Sequence, residues 1–482
     1  MPLDNELDAI FHPRSIAVAG ASHNLFSMGY HYTHRLLEYG YLGQVYPISP
    51  NYEELLGLKV YPELKAVPGP VDYVICCIPA AGVLNLLDQC PQRQVRAMHM
   101  FTARFAETRH GERAALEREI LHRAKEYGVR LIGPNCMGIY YPAECIAFDD
   151  GFPQESGVVG AAFQSGGAST EFVRYASPRG IRFSKVISYG NAIDLNESDF
   201  LEHLTADPET EIIACYIEGV KDGGRFLKAL RRAAQAKPVV LLKGGKGTAG
   251  ARAAASHTAS LAGSLQTWHS AVAQAGAVEA ETLTELIDLV VAFHFLPPIK
   301  GAKVGVVGGG GGRMVLSANE CETAGLSVVP LPAEIRNIVA QKAPLLLDWV
   351  GNPVDASVIM QFGIAPGDVM HMVARSPEFD FIIGNLGESA PMGKAEWSAM
   401  MNSEVDDLIE VKHEGAKPLA AVIGVGELGG GEFEHWRWRL LAELRQRLVV
   451  AGVPVYATVD RAARAIRKLV DYYRWREAAG CE

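Results

Sequence analysis

His257 is the residue of this chain whose type and position most favour chemistry. It lies in the connection 243–262, between a predicted buried strand at 238–242 and a helical pattern that resumes near Gly263. Connections of about 2–6 residues are usual in α/β units, so one of this length favours a functional loop over a simple link. Glycines and alanines make the loop small, and near its end only the imidazole suits nucleophilic or acid–base chemistry at neutral pH. The sequence therefore predicts a catalytic histidine on a mobile loop.

Two strand–turn–helix junctions offer the anion site that such a histidine would need. Small residues fill the turns at 164–167 and 308–312. Backbone N–H groups at the start of a helix attract anions, and a phosphoryl group held there can move to or from an imidazole nitrogen. Glu218, at the carboxyl end of a predicted strand at 211–217, is the candidate acceptor for the other imidazole nitrogen. Plainer alternatives exist, because glycine turns also arise from close helix–sheet packing and Glu218 could be an exposed strand-end carboxylate.

Short apolar runs alternate with helical stretches such as 111–127, which is typical of α/β folds with doubly wound parallel sheets. Three modules are predicted, over 1–145, 151–296 and 300–475. The last predicted helix covers 460–473. The predicted strands lie at 15–19, 44–48, 72–78, 95–101 and 130–132, then at 157–163, 183–188, 211–217 and 238–242, then at 303–307, 379–383 and 419–423.

Composition and charge exclude several classes of function. The chain has 482 residues and a formal net charge of -10, which argues against a nucleic-acid or anionic-membrane partner. No stretch reaches about 18 uninterrupted apolar residues and the N-terminus lacks a basic, apolar signal peptide, so we expect a cytoplasmic protein. The eight cysteines show neither a Cys-x-x-Cys pair nor zinc-site spacing, so we expect reduced thiols and no metal site.

The turn at 20–23, after the first predicted strand, suggests a nucleotide-like ligand. A nicotinamide cofactor is disfavoured because the Gly-x-Gly-x-x-Gly fingerprint is missing and Asn51, not an acid, follows the second strand. A different adenine nucleotide is therefore favoured. The segment 244–248 is not an ATP-binding P-loop, since Gly247 follows Lys246 where Ser or Thr is needed.

Separated motifs along almost the whole chain carry a resemblance to a known family. They lie at 13–22, 133–138, 164–167, 188–191, 216–219, 256–263 and 351–355. The sequence resembles the NDP-forming acyl-CoA synthetases, which include ADP-forming acetyl-CoA synthetase and, more distantly, succinyl-CoA synthetase. The resemblance implies an N-terminal Rossmann-like coenzyme A (CoA) binding domain followed by two flavodoxin-like CoA-ligase domains.

The resemblance also implies roles for single residues. His257 would carry the phosphoryl group and Glu218 would support it. The residues that would hold the phosphate are Ser165, Gly166, Gly310 and Gly311. The residues that would line the CoA site are Gly20, Ser22, Pro79 and Asn135.

The family reaction joins a small carboxylic acid to CoA and consumes ATP, giving acyl-CoA, ADP and phosphate through an acyl phosphate and a phosphohistidine. The sequence has no counterpart of the family's ATP-grasp domain. The resemblance therefore implies that this chain is an α subunit and that a separate ATP-grasp β subunit binds ATP or GTP with Mg. An α2β2 assembly or an α homodimer is expected.

Three residues depart from the family pattern. Asn51 stands where Lys is usual, Ala259 where Gly is common, and Arg104 in a turn where Gly is expected. Arg104 could lie in solvent or hold a carboxylate-bearing substrate.

Two other functions stay open. The first, an ATP-independent CoA-dependent transferase or lyase of the same superfamily, is disfavoured by His257 and Glu218. The second, a non-catalytic acyl-CoA-binding regulator, gains slight support from Asn51 and Arg104.

Overall fold

The computed structural model describes residues 7, 10–108, 110–247, 249–250, 264–347, 349–387, 390, 392–424 and 435–481. The chain divides into two compact units. The first comprises Met1–Ser177 and Ile181–Leu286, and the second comprises Pro178–Gly180 and Ile287–Glu482. No helix in the described ranges is both long enough and apolar enough to cross a membrane.

The first sheet of the first unit is entirely parallel, in the order β2-β1-β5-β6-β7. Its strand Ser15–Ala19 is buried at every position, as expected for a parallel strand with both faces covered. Core side chains from the sheet and from the helices after its inner strands form one apolar cluster. The elements are β1 (Ser15–Ala19), α1 (Met28–Glu38), β2 (Gln44–Ile48), the hairpin β3 (Glu54–Leu55) and β4 (Leu58–Lys59), β5 (Tyr73–Cys76), α2 (Val83–Asp88), β6 (Ala97–Met100), α3 (Gly111–Tyr127) and β7 (Arg130–Ile132).

The second sheet has the order β13-β12-β11-β9-β10-β8. All its pairs are parallel except the edge strand β8, which runs antiparallel to β10 with Ile139 opposite Ile187. The elements are β8 (Gly138–Tyr140), β9 (Ser156–Phe163), α4 (Gly166–Ala176), β10 (Phe183–Ser188), α5 (Glu197–Ala206), β11 (Ile212–Ile217), α6 (Gly223–Ala236), β12 (Val239–Lys243), α7 (Leu265–Ala275) and β13 (Val278–Ala280).

The sheet of the second unit is parallel, in the order β14-β15-β16-β17. On the free side of β14, Val307 forms a further parallel bridge with Val354. Trp397 is fully buried in the apolar cluster of this unit. The elements are α8 (Leu283–Phe295), β14 (Val304–Gly308), α9 (Gly312–Thr323), α10 (Ala333–Lys342), α11 (Ala356–Met360), α12 (Pro366–Arg375), β15 (Phe381–Asn385), α13 (Lys394–Glu414), β16 (Leu419–Val422), α14 (Trp436–Val450), β17 (Val455–Tyr456) and α15 (Val459–Ala478).

These elements confirm the predicted α/β fold with doubly wound sheets. Every predicted strand is present, and the helix predicted at 111–127 has those same bounds. The sequence did not predict β8 or the short strands β13 and β17.

Each of the three large sheets has one place where the chain stops adding extended segments on one side of a strand and begins to add them on the other. These switch points lie between β1 and β5, between β9 and β11, and between β14 and β15. Ligands of open α/β sheets bind outside the carboxyl ends of the strands at such points. The predicted site residues are therefore expected at or beside these three switch points.

Candidate active site

The first switch point carries three of the predicted CoA residues, Gly20, Ser22 and Pro79. Gly20 has a φ of +96°, and a Cβ there would come within 2.9 Å of the Cys77 carbonyl oxygen, so only glycine fits the turn after β1. The Ser22 hydroxyl accepts a hydrogen bond from the Asn24 N–H at 3.1 Å. Pro79 is exposed in the turn after the neighbouring strand β5. Small residues and backbone thus lie at the carboxyl ends of β1 and β5, the part of an open α/β sheet where ligands bind.

Asn135 and Arg104 lie on turns beside this edge, both in the left-handed region with φ of +61° and +75°. The Asn135 N–H donates to the Thr102 carbonyl oxygen at 3.0 Å, which links the two turns. The Arg104 side chain is exposed, while the N–H groups of Arg104 and Phe105 both donate to the Glu107 carboxylate. A positive φ explains why glycine is expected at position 104.

The second switch point carries the predicted phosphate residues Ser165 and Gly166. Ser165 caps α4, its hydroxyl accepting from the Ala168 N–H at 3.3 Å. Gly166 and Gly167 open the helix, so their N–H groups have no acceptor within it. Donors of this kind at the positive end of a helix form an anion site, and the absence of side chains here lets phosphate oxygens approach the backbone.

Glu218 lies at the same switch point, at the end of β11, and is only 6% exposed. The buried Gln164 joins the two strand ends, because its Oε1 accepts from the N–H groups of both Glu218 and Gly219. The other end of this carboxamide, Nε2, is buried without a hydrogen-bond partner among the described residues. One side chain thus fixes the backbone of Glu218 relative to the turn that begins at Ser165.

Two further residues surround Glu218. Tyr216 donates from its hydroxyl to Glu218 Oε1 at 3.3 Å, and burial together with the neighbouring carboxylate raises the pKa of Tyr216 to about 12. Lys243, the last residue of β12, donates from Nζ to the carbonyl oxygens of Glu218 and Gly244, each at 2.6 Å. Burial lowers the pKa of Lys243, although Glu218 opposes that shift. The sequence reasoning assigned no role to Lys243 or to the Gln164 side chain.

His257 lies outside the described residues, and so does Ala259. The described chain reaches the edge of that segment at Gly250 and resumes at Ser264, which caps α7. The catalytic role of His257 and its support by Glu218 therefore stay predictions.

The third switch point carries the glycine turn between β14 and α9. Gly308, Gly309 and Gly311 all have positive φ, at +112°, +72° and +54°. The Gly311 N–H donates to Asp355 Oδ2 at 2.9 Å, so it is already engaged within the protein. A Cβ on Gly310 would lie 2.7 Å from the Ser357 hydroxyl oxygen, which leaves no room for a larger residue. Of the two glycines predicted to hold phosphate here, Gly311 is the more exposed, but its N–H is the one bound to Asp355.

A cavity of about 560 Å³ opens beside this turn, within the second unit. Its polar lining includes Arg313, Asn385 and Glu404 in addition to Gly309 and Gly310. Its apolar lining includes Met360, Met392 and Met400. An apolar wall with a few polar groups beside it is typical of a small-molecule site.

Comparison with known proteins identifies the chain. Residues 14–142 match the family model of a CoA-binding domain, and residues 156–293 match that of the succinyl-CoA ligase-like flavodoxin domain. The α subunit of ADP-forming acetate–CoA ligase II from Pyrococcus furiosus is 38% identical over 478 residues, covering 96% of this chain and 97% of that one. The chain belongs to the NDP-forming acyl-CoA synthetase family.

Two other members of the acyl-CoA synthetase family illustrate its range. The dinucleotide-forming acetyl-coenzyme A synthetase 1 of Ca. Korarchaeum cryptofilum, solved with phosphate and ADP, is 31% identical with a TM-score of 0.80, covering 98% of each chain. The trans-feruloyl-CoA synthase FCS1 from an unknown prokaryotic organism is 31% identical, covering 97% of this chain and 65% of that protein. The acyl groups in these two names are a two-carbon group, acetyl, and an aromatic group, feruloyl.

The matches confirm the predicted family and fold class. They also confirm that the first module is of the CoA-binding type, as the resemblance implied. The full-length match to an α subunit agrees with the prediction that this chain is one component of a larger enzyme.

Proposed function

We propose that this chain is the α subunit of an ADP-forming acyl-CoA synthetase. With a separate ATP-grasp subunit that binds Mg and ATP or GTP, it converts a carboxylic acid, CoA and the nucleoside triphosphate into acyl-CoA, the nucleoside diphosphate and phosphate. The observation that carries the proposal is the junction at the second switch point, where Gln164 ties the buried Glu218 to the helix start at Ser165 and Gly166.

The reaction divides into three balanced transfers. A nitrogen of the His257 imidazole takes the γ-phosphoryl group of ATP and ADP leaves. A carboxylate oxygen of the acid then takes that phosphoryl group, giving an acyl phosphate and restoring the imidazole. The thiolate of CoA finally attacks the acyl carbon, and inorganic phosphate leaves as the acyl–sulfur bond forms.

The described residues supply electrostatic support for these transfers. The N–H groups that open α4 hold phosphoryl oxygens, and donors of this kind stabilise the charge that develops on them. The Glu218 carboxylate accepts from the other nitrogen of the imidazole and stabilises its cationic, phosphorylated form. The Tyr216 hydroxyl keeps its proton because its pKa is about 12, so it serves as a donor that orients Glu218.

The first module holds CoA in this proposal. Gly20 and Ser22 lie after β1, Pro79 lies after β5, and Asn135 lies on the turn joined to Thr102. The side chain of Arg104 is exposed beside these turns, where it can meet a negatively charged group of CoA or of the acid.

A labelling experiment tests the proposal. With γ-labelled ATP the isolated chain should stay unlabelled, and addition of the ATP-grasp partner should give an acid-labile, base-stable label. His257→Ala should abolish both the label and acyl-CoA formation. Glu218→Gln should weaken both while the protein stays folded, because it removes the charge but keeps the side-chain volume.

A second histidine gives the matched control. His269 lies on the exposed face of α7 and pairs with Glu279, so His269→Ala should keep the label and the activity. Labelling of the isolated chain, or normal acyl-CoA synthesis by His257→Ala, would contradict the proposed function and favour the ATP-independent transferase.

A further inference from the structure

Lys243 is a buried lysine at the candidate site, and no step of the proposed reaction uses it. It is the last residue of β12 and is only 7% exposed. Its Nζ donates to the carbonyl oxygens of Glu218 and Gly244, each at 2.6 Å, and lies 5.8 Å from the ring centre of Trp268. An ammonium group has three donors, and its burial is costly unless they are used. An apolar side chain fills such a space at lower cost, so the buried cation indicates a further role.

The bonds of Lys243 complete a hold on the backbone of Glu218. Gln164, just after β9, accepts from the Glu218 N–H, and Lys243, at the end of β12, donates to the Glu218 carbonyl oxygen. The Tyr216 hydroxyl donates to Oε1 of the carboxylate. β9 and β12 are the two neighbours of β11 in the sheet. Side chains from both neighbouring strands therefore hold the polar backbone groups of Glu218, and any displacement of that backbone breaks one of these bonds.

The second bond of Lys243 joins Glu218 to the beginning of the connection that carries His257 in the sequence. Gly244 is the residue after β12, and its N–H donates to the Ile217 carbonyl oxygen at 2.9 Å. The ammonium group bridges the carbonyl oxygens of Glu218 and Gly244 and so ties the end of β11 to the residue that follows β12. The proposed reaction requires a bond between the Glu218 carboxylate and the imidazole. Lys243 thus fixes the carboxylate partner of that bond to the chain that leads to the other.

A second lysine, at the opposite end of β12, makes bonds of the same kind away from the site. Lys237 lies between α6 and β12, and its Nζ donates to the carbonyl oxygens of Leu204 and Asp207 at 2.8 and 2.6 Å. Burial lowers the pKa of Lys237, as it lowers that of Lys243. Of the two lysines, Lys243 is the one that contacts a residue of the candidate site.

We propose that Lys243 is a positioning residue for the phosphoryl transfer to and from His257 and that it acts through Glu218. The inference rests on the proposed function, because it gives Lys243 a part in the transfer that Glu218 supports. Lys243 takes no part in the bonds that form and break, and its two donated hydrogen bonds keep the Glu218 carboxylate where the imidazole needs it. A misplacement of about 1 Å costs about a hundredfold in rate, so loss of the ammonium group should slow the transfer and leave CoA binding unchanged.

The first test measures labelling from γ-labelled ATP with the chain reconstituted with its ATP-grasp partner. Lys243→Met keeps an unbranched side chain but removes the donors, and it should lower the rate of phosphohistidine formation at least about tenfold. The affinity for CoA, measured by titration calorimetry, should not change. Lys237→Met is the matched control and should leave the labelling rate within about twofold of wild type. A wild-type labelling rate in Lys243→Met, or an equal loss in Lys237→Met, would overturn the inference.

A double-mutant cycle shows whether Lys243 acts through Glu218. In a chain that already carries Glu218→Ala, Lys243→Met should slow labelling less than about threefold, because the carboxylate that it positions is gone. A residue that only stabilises the fold, or that contacts the phosphoryl group by itself, would give the full loss in both backgrounds, and that result would contradict the proposal.

Two more variants of Lys243 complete the design. Lys243→Arg keeps a cation with several donors and should label at least about threefold faster than Lys243→Met, and an arginine variant as slow as the methionine variant would count against the donated bonds. If Lys243→Met is too unstable to purify, Lys243→Gln takes its place. Its carboxamide is shorter and uncharged, so the same loss and the same cycle with Glu218→Ala are expected.

The two proposals fail in different ways. If the wild-type complex labels His257 and Lys243→Met labels it equally fast, only this inference falls. If the wild-type complex forms no phosphohistidine, the proposed function falls and this inference falls with it.

Discussion

The Gln164 carboxamide is the feature whose removal should be most informative. Gln164→Met keeps the length and volume of the side chain but removes the acceptor of two buried N–H groups, those of Glu218 and Gly219. Each unsatisfied buried donor costs about 1–3 kcal/mol, and the change also removes the unpaired Nε2, so the free energy of unfolding should fall by about 2 kcal/mol. Relaxation would move the backbone of Glu218, and a misplacement of about 1 Å in a catalytic group costs about a hundredfold in rate.

Two measurements follow that variant. Urea denaturation of the purified chain gives the loss of stability, and the rate of phosphohistidine formation with the ATP-grasp partner gives the functional loss. Ser184→Ala is the matched control, because Ser184 makes a buried hydrogen bond of 2.7 Å with Thr210 at the amino end of the same sheet. It should lower stability by about 1 kcal/mol and leave the labelling rate intact. A Gln164→Met chain with wild-type stability and labelling rate would refute the reasoning.

Two further predictions concern buried charge. Burial lowers the pKa of His99 to about 4, below its unfolded value of about 6.5, so its contribution to stability is complete above pH 6.5 and is lost as the pH falls towards 4. The free energy of unfolding should drop by about 2 kcal/mol between pH 7 and pH 5, and His99→Gln should flatten that slope in urea titrations at both pH values. The side chain of Asp288 is 3% exposed and pairs with Arg179 at 2.6 Å and with Arg461 at 2.7 Å. Asp288→Asn should lower the free energy of unfolding by about 3 kcal/mol, because both guanidinium groups lose their charged partner. Asp471→Asn, which breaks an exposed pair on α15, should cost less than about 1 kcal/mol in the same assay.

The sequence was sufficient to predict the inner strands because burial on both faces leaves a clear pattern. β9, β11 and β12 are almost continuous apolar runs, and a run of that kind bounded by polar or glycine residues is typical of a parallel strand. The helix at 111–127 ends where Gly128 adopts a left-handed conformation, which is a signal that the sequence also carries.

Short edge strands could not be predicted in the same way. β8 has three residues and β17 has two, so neither contains enough positions to show a period. Their backbone pairs with strands that lie far away in the sequence, as Ile139 does with Ile187. The tertiary structure, and not the local sequence, determines that these residues are extended.

The same limit applies to the candidate site. Glu218 was predicted at a strand end, and that placement is correct, because strand ends follow from the apolar pattern. The bond from Gln164 spans 54 residues of sequence, and the bond from the Gly311 N–H to Asp355 spans 44. Nothing in the local sequence indicates which acceptor a glycine N–H or a carboxamide will meet. The cavity is lined by residues of α9, α11, β15 and α13, and apart from the glycine turn before α9 no local sequence pattern indicates it.

The edge strand β8 determines how this protein can be divided. Residues 138–140 lie inside the segment that matches the CoA-binding model, but they supply the last strand of the neighbouring sheet. If the chain is cut after residue 142, the C-terminal fragment lacks this strand. One edge of β10 then has unpaired N–H and C=O groups, which favours aggregation. The two matched regions are separate in sequence and inseparable in hydrogen bonding. A fragment meant to fold as this half of the chain should therefore run unbroken from β1 to β13.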